Sequence, residues 1–278
     1  MPYKTILVHL NNERRAGSLL EYAMGIGERF ESHLIGIRVF PAFRLTPPIL
    51  MPFGKELAGR LLGEIRDEEM RIRLIFEQVT SGHSIVPEWR SVTTEKRPVA
   101  DVLPDHAHAA DVVIAAQADQ DWGFSEILDC PDRLAIESGR PVLVMPNESR
   151  IASPPRTVLV AWNGRREAAR AVFDALPILA LAKAVEVVTI DEQPRDEASL
   201  PDTEIAAALA RHGANVKVTK LIPREGSAAH EIRARAADLQ ADLLVMGDYG
   251  HSRLSEFVFG HATRYFLKEM PIPVLFSH

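Results

Sequence analysis

The chain has 278 residues, 46% hydrophobic and 25% charged, an ordinary balance for a globular protein with a sizeable core. Its formal charge is −6, with 17 basic against 22 acidic residues in 1–153 and 15 against 16 in 154–278. Neither half has the basic excess of a nucleic-acid binder. The single cysteine, Cys130, excludes an intramolecular disulfide and fits a reducing compartment.

Met1-Pro-Tyr-Lys-Thr-Ile-Leu-Val runs directly into a strand, Ile6 to Leu10, leaving no room for a signal peptide. A helical pattern follows over Glu13 to Phe30, then a β-rich run over Leu34 to Phe40. A proline-rich loop, Pro41 to Pro52, precedes a charged helix from about Gly54 to Val79. In that helix Leu57, Leu61, Leu62, Ile65, Met70, Leu74 and Ile75 are spaced for one apolar face, and Glu68 and Glu69 are expected to face solvent. Strands at Val86 to Val92, Val112 to Ala115 and Val142 to Met145 complete the first half. In the second half, strands are expected at Val158 to Trp162, Val185 to Ile190, Val216 to Leu221, Leu243 to Met246 and Val274 to Phe276. Helical patterns span Arg165 to Lys183, Thr203 to His212, and a run from Gly260 to near Pro271. The longest apolar stretch, Leu176 to Ile190, is broken by Pro177, Lys183 and Glu186, so it reads as a helix then a strand and not as a membrane span. A cytoplasmic location is expected.

The chain is written twice. Lys4-Thr-Ile-Leu-Val-His-Leu-Asn-Asn12 is echoed by Arg156-Thr-Val-Leu-Val-Ala-Trp-Asn-Gly164, and Ala110-Asp-Val-Val-Ile-Ala by Ala241-Asp-Leu-Leu-Val-Met. Arg140-Pro-Val-Leu-Val matches Ile272-Pro-Val-Leu-Phe. Short apolar runs alternating with longer helical patterns predict parallel sheets covered by helices on both faces. The expectation is an α/β protein of two tandem, doubly wound, parallel five-stranded domains, flavodoxin- or Rossmann-like: 1–147, a polar linker at 148–155, and 156–278. Such sheets place their ligand crevice at the carboxyl ends of the strands, at the switch in strand order.

One segment begins at such an end. Asp242-Leu-Leu-Val-Met-Gly247-Asp-Tyr-Gly250 is followed after nine residues by Gly260-His261-Ala262-Thr263. A strand, a glycine loop and a helix start together form an anion cradle, because unpaired N–H groups and the helix dipole converge. Arg253 in this loop is a candidate phosphate clamp. Gly25-Ile-Gly27 lies within a helix and is rejected as a dinucleotide fingerprint. No HExxH or paired CxxC motif exists, and His106 and His108 do not share a helix face, so no metal site is expected. No catalytic base emerges.

With its repeated strand phrase, the length of each copy, and Gly247, Gly250 and Gly260, the chain resembles the universal stress protein family in its tandem form. Nucleotide-binding members carry Gly-x-x-Gly, nine residues, then Gly-Ser/Thr, with phosphates over this loop and adenine near the end of the first strand. The resemblance implies an adenine nucleotide alpha hydrolase-like fold, with ATP or AMP, and Mg²⁺ if ATP, in the second domain. Met246, Gly247, Gly250, Arg253, Gly260, His261 and Ala262 would lie around phosphate and ribose, and Ala161, Asn163 and the backbone at Ile190 along the adenosine. It also implies an intrachain pseudo-dimer, leaving a homodimer and the identity of a protein partner open. Two positions depart from the pattern: His261 replaces the hydroxyl residue, and Asn163, like Asn11, replaces an aspartate. In the first domain Ala115-Ala-Gln-Ala-Asp119 replaces the glycine phrase, Cys130-Pro131 lies about where Gly260 falls, and Asp119 and Asp121 would occupy the phosphate positions. That copy is expected to be a structural partner. The functional expectation is a nucleotide-gated regulatory or adaptor module in stress adaptation. Its alternatives are a slow ATP hydrolase with Asp248 near the phosphates, and an interaction module without nucleotide.

Overall fold

Val, Ile and Leu runs too short for helices become strands wherever both faces are covered, and the core strands here obey that rule. The computed structural model describes residues 2–42, 54–147, 153–190, 202–221, 227–248 and 261–278. The first half runs β1 (Thr5–His9), α1 (Glu13–Phe30), β2 (His33–Pro41), α2 (Gly54–Thr80), β3 (Val86–Thr94), α3 (Val99–Ala107), β4 (Val112–Ala116), α4 (Ser125–Leu128), α5 (Pro131–Glu137) and β5 (Val142–Met145). The second runs β6 (Thr157–Trp162), α6 (Arg166–Asp174), α7 (Leu176–Leu181), β7 (Ala184–Ile190), α8 (Asp202–Arg211), β8 (Val216–Leu221), α9 (Ala228–Asp238), β9 (Leu243–Gly247), α10 (His261–Lys268) and β10 (Val274–Ser277). Every residue of β4 and β5 is buried, as the unbroken apolar runs require.

Within each half the strands are parallel, ordered β3-β2-β1-β4-β5 and β8-β7-β6-β9-β10. The strand order therefore switches between β1 and β4, and again between β6 and β9. The duplication reaches individual hydrogen bonds. Asp111 Oδ2 accepts the N–H groups of Lys4 and Thr5 at 2.7 and 2.8 Å, and Asp242 Oδ2 accepts those of Arg156 and Thr157 at 2.7 and 2.9 Å. The N–H groups of Gln117 and Asp248 likewise donate, each at 2.8 Å, to the residue ending the neighbouring strand, Met145 and Ser277. These pairs put Asp111 opposite Asp242, Ala116 opposite Gly247 and Gln117 opposite Asp248.

The two units join edge to edge. β5 and β10 pair antiparallel, with Val144 opposite Val274 and Val142 opposite Phe276, making one ten-stranded sheet. Side chains lock the joint: Tyr3 Oη donates to Asp174 O (2.6 Å), and Gln117 Nε2 to Leu267 O (3.0 Å). Because the pairing is antiparallel, the strand ends that carry the two switch-point crevices face opposite edges of the sheet.

Three expectations need correction. The helix expected over Arg165 to Lys183 divides at Ala175, because Pro177 lacks an N–H and suits the first turn of a new helix. In α2 the buried face is Ile72 and Phe76, with Ile65, Ile75 and Val79 partly buried, while Met70 and Leu74 on the opposite side are 57% and 54% exposed. The side chains of Leu57, Leu61 and Leu62 lie outside the described residues, as do most of the Pro41 to Pro52 loop and residues 148–152 of the expected linker. Glu68 and Glu69 do not simply face solvent. They lie 3.4 and 3.6 Å from the guanidinium of Arg38, which β2 buries almost completely. A charge that deep needs a counter-charge, and α2 supplies two.

Candidate functional site

In the second half the strand order switches between β6 and β9, which pair from Val158 opposite Leu243 to Ala161 opposite Met246. β6 ends at Trp162, and Asn163 turns the chain into α6: its Oδ1 accepts the Arg165 N–H at 3.0 Å, and Gly164 takes φ 73°. Asn163 is exposed and Ala161 half-buried. Met246 is buried beneath the strand end and Ala262 is partly buried in the first turn of α10, against the core of that face. The backbone of Ile190 closes β7 opposite Leu221. Gly247 has a packing reason of its own. A Cβ there would lie 2.5 Å from Glu167 C and from Ala168 N, so the first turn of α6 approaches as closely as only glycine allows. Asp248 is fully buried at the foot of the loop. Gly250, Arg253 and Gly260 lie outside the described residues, as does the side chain of His261. The structure thus brings Ala161, Asn163, Met246, Gly247 and Ala262 to one end of the half, around the switch point.

The first half has the same end, differently filled. By strand register Ala116 stands opposite Gly247, three residues on Asp119 corresponds in sequence to Gly250, and Asp129 lies two residues before the start of α5. The Asp129 side chain is only 1% exposed and receives a full set of donors. Its Oδ1 accepts Arg15 Nη2 and Asn11 Nδ2, both at 2.6 Å. Its Oδ2 accepts Ser125 Oγ at 2.7 Å, the Asp119 N–H at 3.0 Å and Arg15 Nη1 at 3.3 Å. Arg15 is held in turn by Gln117 O at 2.8 Å and lies 5.2 Å from the ring centre of Trp122. Asp119 turns its own carboxylate to the Asp121 N–H (3.1 Å) and gives its backbone N–H to Asp129. Cys130 directly precedes α5 as Gly260 directly precedes α10 in the sequence, in line with the expected correspondence of the two positions. Cys130 itself is buried, and burial with the nearby charges of Asp132 and Asp129 pushes its thiol up to about 12, which makes it unreactive.

The Arg15–Asp129 pair is a feature that the sequence reading missed: Arg15 stands where the second half has Glu167, a change of charge at equivalent positions of the repeat. His9, at the end of β1 where the second half has Ala161, is also buried, and burial lowers its pKa to about 4 despite the nearby Asp129 carboxylate. Among the described residues no group of three or more His, Cys, Asp or Glu is arranged to hold a metal ion, and no helix is long and apolar enough to cross a membrane.

A duplicated, doubly wound, parallel α/β chain has the flavodoxin-like fold in each half. Residues 155–278 match the Universal stress protein family as a whole. A universal stress protein of Synechocystis sp. is 27% identical over 179 residues, which is 63% of this chain and 60% of that protein, so the match spans less than two thirds of the curated relative. A universal stress protein structure from Archaeoglobus fulgidus superposes with a TM-score of 0.70 at 14% identity, over 98% of this chain and 95% of that one. A functionally unknown protein from Pseudomonas aeruginosa gives 0.57 at 17% identity, over 99% and 92%. At such identities these two structures speak for the fold alone. The match to the universal stress protein family model thus falls on the second half, residues 155–278, and the first half repeats the architecture of that half.

Proposed function

We propose that the second half binds one adenine nucleotide, ATP or AMP, and that occupancy regulates a surface read by a protein partner. The observation carrying this reading is the asymmetry of the two switch points. The first is filled by an internal ion pair, whereas the second retains Gly247, Gly250 and Gly260 with no carboxylate opposite Asp129. Exposed Asn163 and half-buried Ala161 stand at the end of β6, where the adenosine would lie, with Asn163 Nδ2 available in principle to an adenine or ribose acceptor. Glu167 packs its backbone on Gly247 and brings a carboxylate to the same corner, so ATP is expected to bind with Mg²⁺ offsetting the charge. The hydrolase alternative gains little, because Asp248 is fully covered.

Calorimetry of the full chain with ATP, ADP and AMP, with and without Mg²⁺, tests the proposal. Saturable heat with at most one site per chain is expected. No heat at millimolar nucleotide would sink it and leave the interaction module.

A further inference from the structure

The donors around Asp129 are more than a buried pair requires. They come from three separate places in the first half: the β1–α1 junction (Asn11, Arg15), the loop after β4 (the Asp119 N–H) and α4 (Ser125). All converge on two carboxylate oxygens, in the mixture of guanidinium, amide, hydroxyl and backbone N–H that recognises oxyanions generally. The carboxylate itself is carried by Asp129, in the short segment between α4 and α5. The set also borders open space. Ser125, Asp129 and Asp119 line a cleft of about 1290 Å³, whose far wall is Arg233, Arg264 and Lys268 of the second half.

We propose that Asn11, Arg15, Ser125 and the Asp119 N–H form an oxyanion site in the first half, with the chain's own Asp129 carboxylate as its permanent occupant. The site takes a carboxylate in cis. With that side chain removed it takes a tetrahedral oxyanion such as inorganic phosphate, entering from the cleft. The first half is thereby closed to phosphorylated ligands by an internal competitor, not by loss of the binding groups. The proposal does not depend on nucleotide binding in the second half, and failure of that reading in wild-type calorimetry leaves it untouched.

The test is chemical rescue. Asp129→Gly removes the carboxylate and its whole side chain, and Asp129→Ser opens the same space while keeping a short polar group. Thermal unfolding of the full chain is followed in inorganic phosphate and in chloride at matched ionic strength, for wild type, both variants, and each variant combined with Arg15→Gln. Phosphate is expected to raise the Tm of the single variants by roughly 3 °C more than that of wild type, as a ligand at about ten times its Kd does for a domain of this size. The gain should vanish with Arg15→Gln. A variant that folds in phosphate and not in chloride gives the same answer. Equal phosphate shifts in wild type and folded variants, or gains that survive Arg15→Gln, overturn the proposal. So does an Asp129→Ser protein that folds but ignores phosphate when Asp129→Gly does not fold in either salt.

Discussion

Asn11 and Asn163 stand at the same point of the repeated strand phrase, yet they do different work. Asn11 is buried, donating to Asp129 Oδ1 and to Leu128 O (2.9 Å) and accepting from Arg15 (3.3 Å). Asn163 is exposed, and among the described residues its side chain accepts the Arg165 N–H of its own turn. The strands beneath them are equivalent residue by residue, so the backbone does not decide the difference. The partners of the first asparagine do: Asp129 and Arg15 draw Asn11 into a buried polar cluster. In a duplicated fold, one buried ion pair can turn a strand end into a piece of core.

The sharpest way to break this comparison is to remove the carboxylate of that pair. Asp129→Ala leaves the Arg15 guanidinium, 6% exposed, without its carboxylate, and losing one partner of a buried ion pair costs about 3–5 kcal/mol. Denaturant unfolding should show that loss. Replacing both partners, Arg15→Met with Asp129→Leu, should recover much of it, because neither charge is then stranded. A loss below about 1 kcal/mol for Asp129→Ala would mean that the pair does not organise the first half.

Acid separates the halves next. His9 has a folded-state pKa of about 4 against an ordinary value of 6.5, so the unfolded chain binds the proton first. Its contribution is therefore complete above pH 6.5 and is lost as pH falls towards 4. The total is on the order of 3 kcal/mol from the size of the shift. Burial is the main cause, with Arg15 and Arg38 opposing protonation and Asp129 favouring it. The second half has Ala161 at this position and lacks that term. Stability measured between pH 7 and 4 should decline less steeply in His9→Leu than in wild type, and parallel profiles would remove His9 from the account.

Gly247→Ala probes the opposite half. The added methyl meets the backbone of Glu167 and Ala168, a clash no side-chain rotation relieves, so overpacking of about 1–3 kcal/mol is expected in denaturant unfolding. Ala116→Gly, at the same register in the first half, should cost only about 0.5–1 kcal/mol, from lost backbone restriction. A neutral Gly247→Ala would show that α6 yields at this contact.

The inner strands were legible because each is a short apolar run, and the repeat identified β1, β4 and β5 a second time as β6, β9 and β10. The edge strands β3 (VPEWRSVTT) and β8 (VKVTKL) are half-polar and were read from their β-branched residues. The fused sheet was not, since β5 and β10 read as interior strands and nothing in Val142–Met145 announces an antiparallel neighbour. Met70 and Leu74 were misassigned in α2 because a long charged helix offers two apolar stripes, and Phe76 against Gly36 selects the other one. Arg38 was missed because a charge within a strand carries no periodic signal. Of the candidate site, the glycine phrase begins at the end of β9, beside the switch in strand order, while Gly250 and Gly260 lie outside the described residues. The packing role of Gly247 depends on where α6 sits, which no local pattern encodes.

The finest test of the asymmetry lies at Asn163. Its turn needs only a side-chain oxygen to accept the Arg165 N–H, and aspartate supplies one equally well, so Asn163→Asp should change stability by less than about 0.5 kcal/mol. Its effect on ligand should be larger. A charged acceptor makes hydrogen bonds roughly twice as strong as a neutral one, so a ribose hydroxyl or adenine amine at this position would bind about 3- to 10-fold tighter. Asn11→Asp, by contrast, would place a second carboxylate against Asp129 and remove the amide donor bonded to it, destabilising the first half without adding nucleotide affinity. Calorimetry of the two variants with AMP separates the crevices directly. Unchanged affinity in a fully folded Asn163→Asp protein would place the adenosine away from the end of β6.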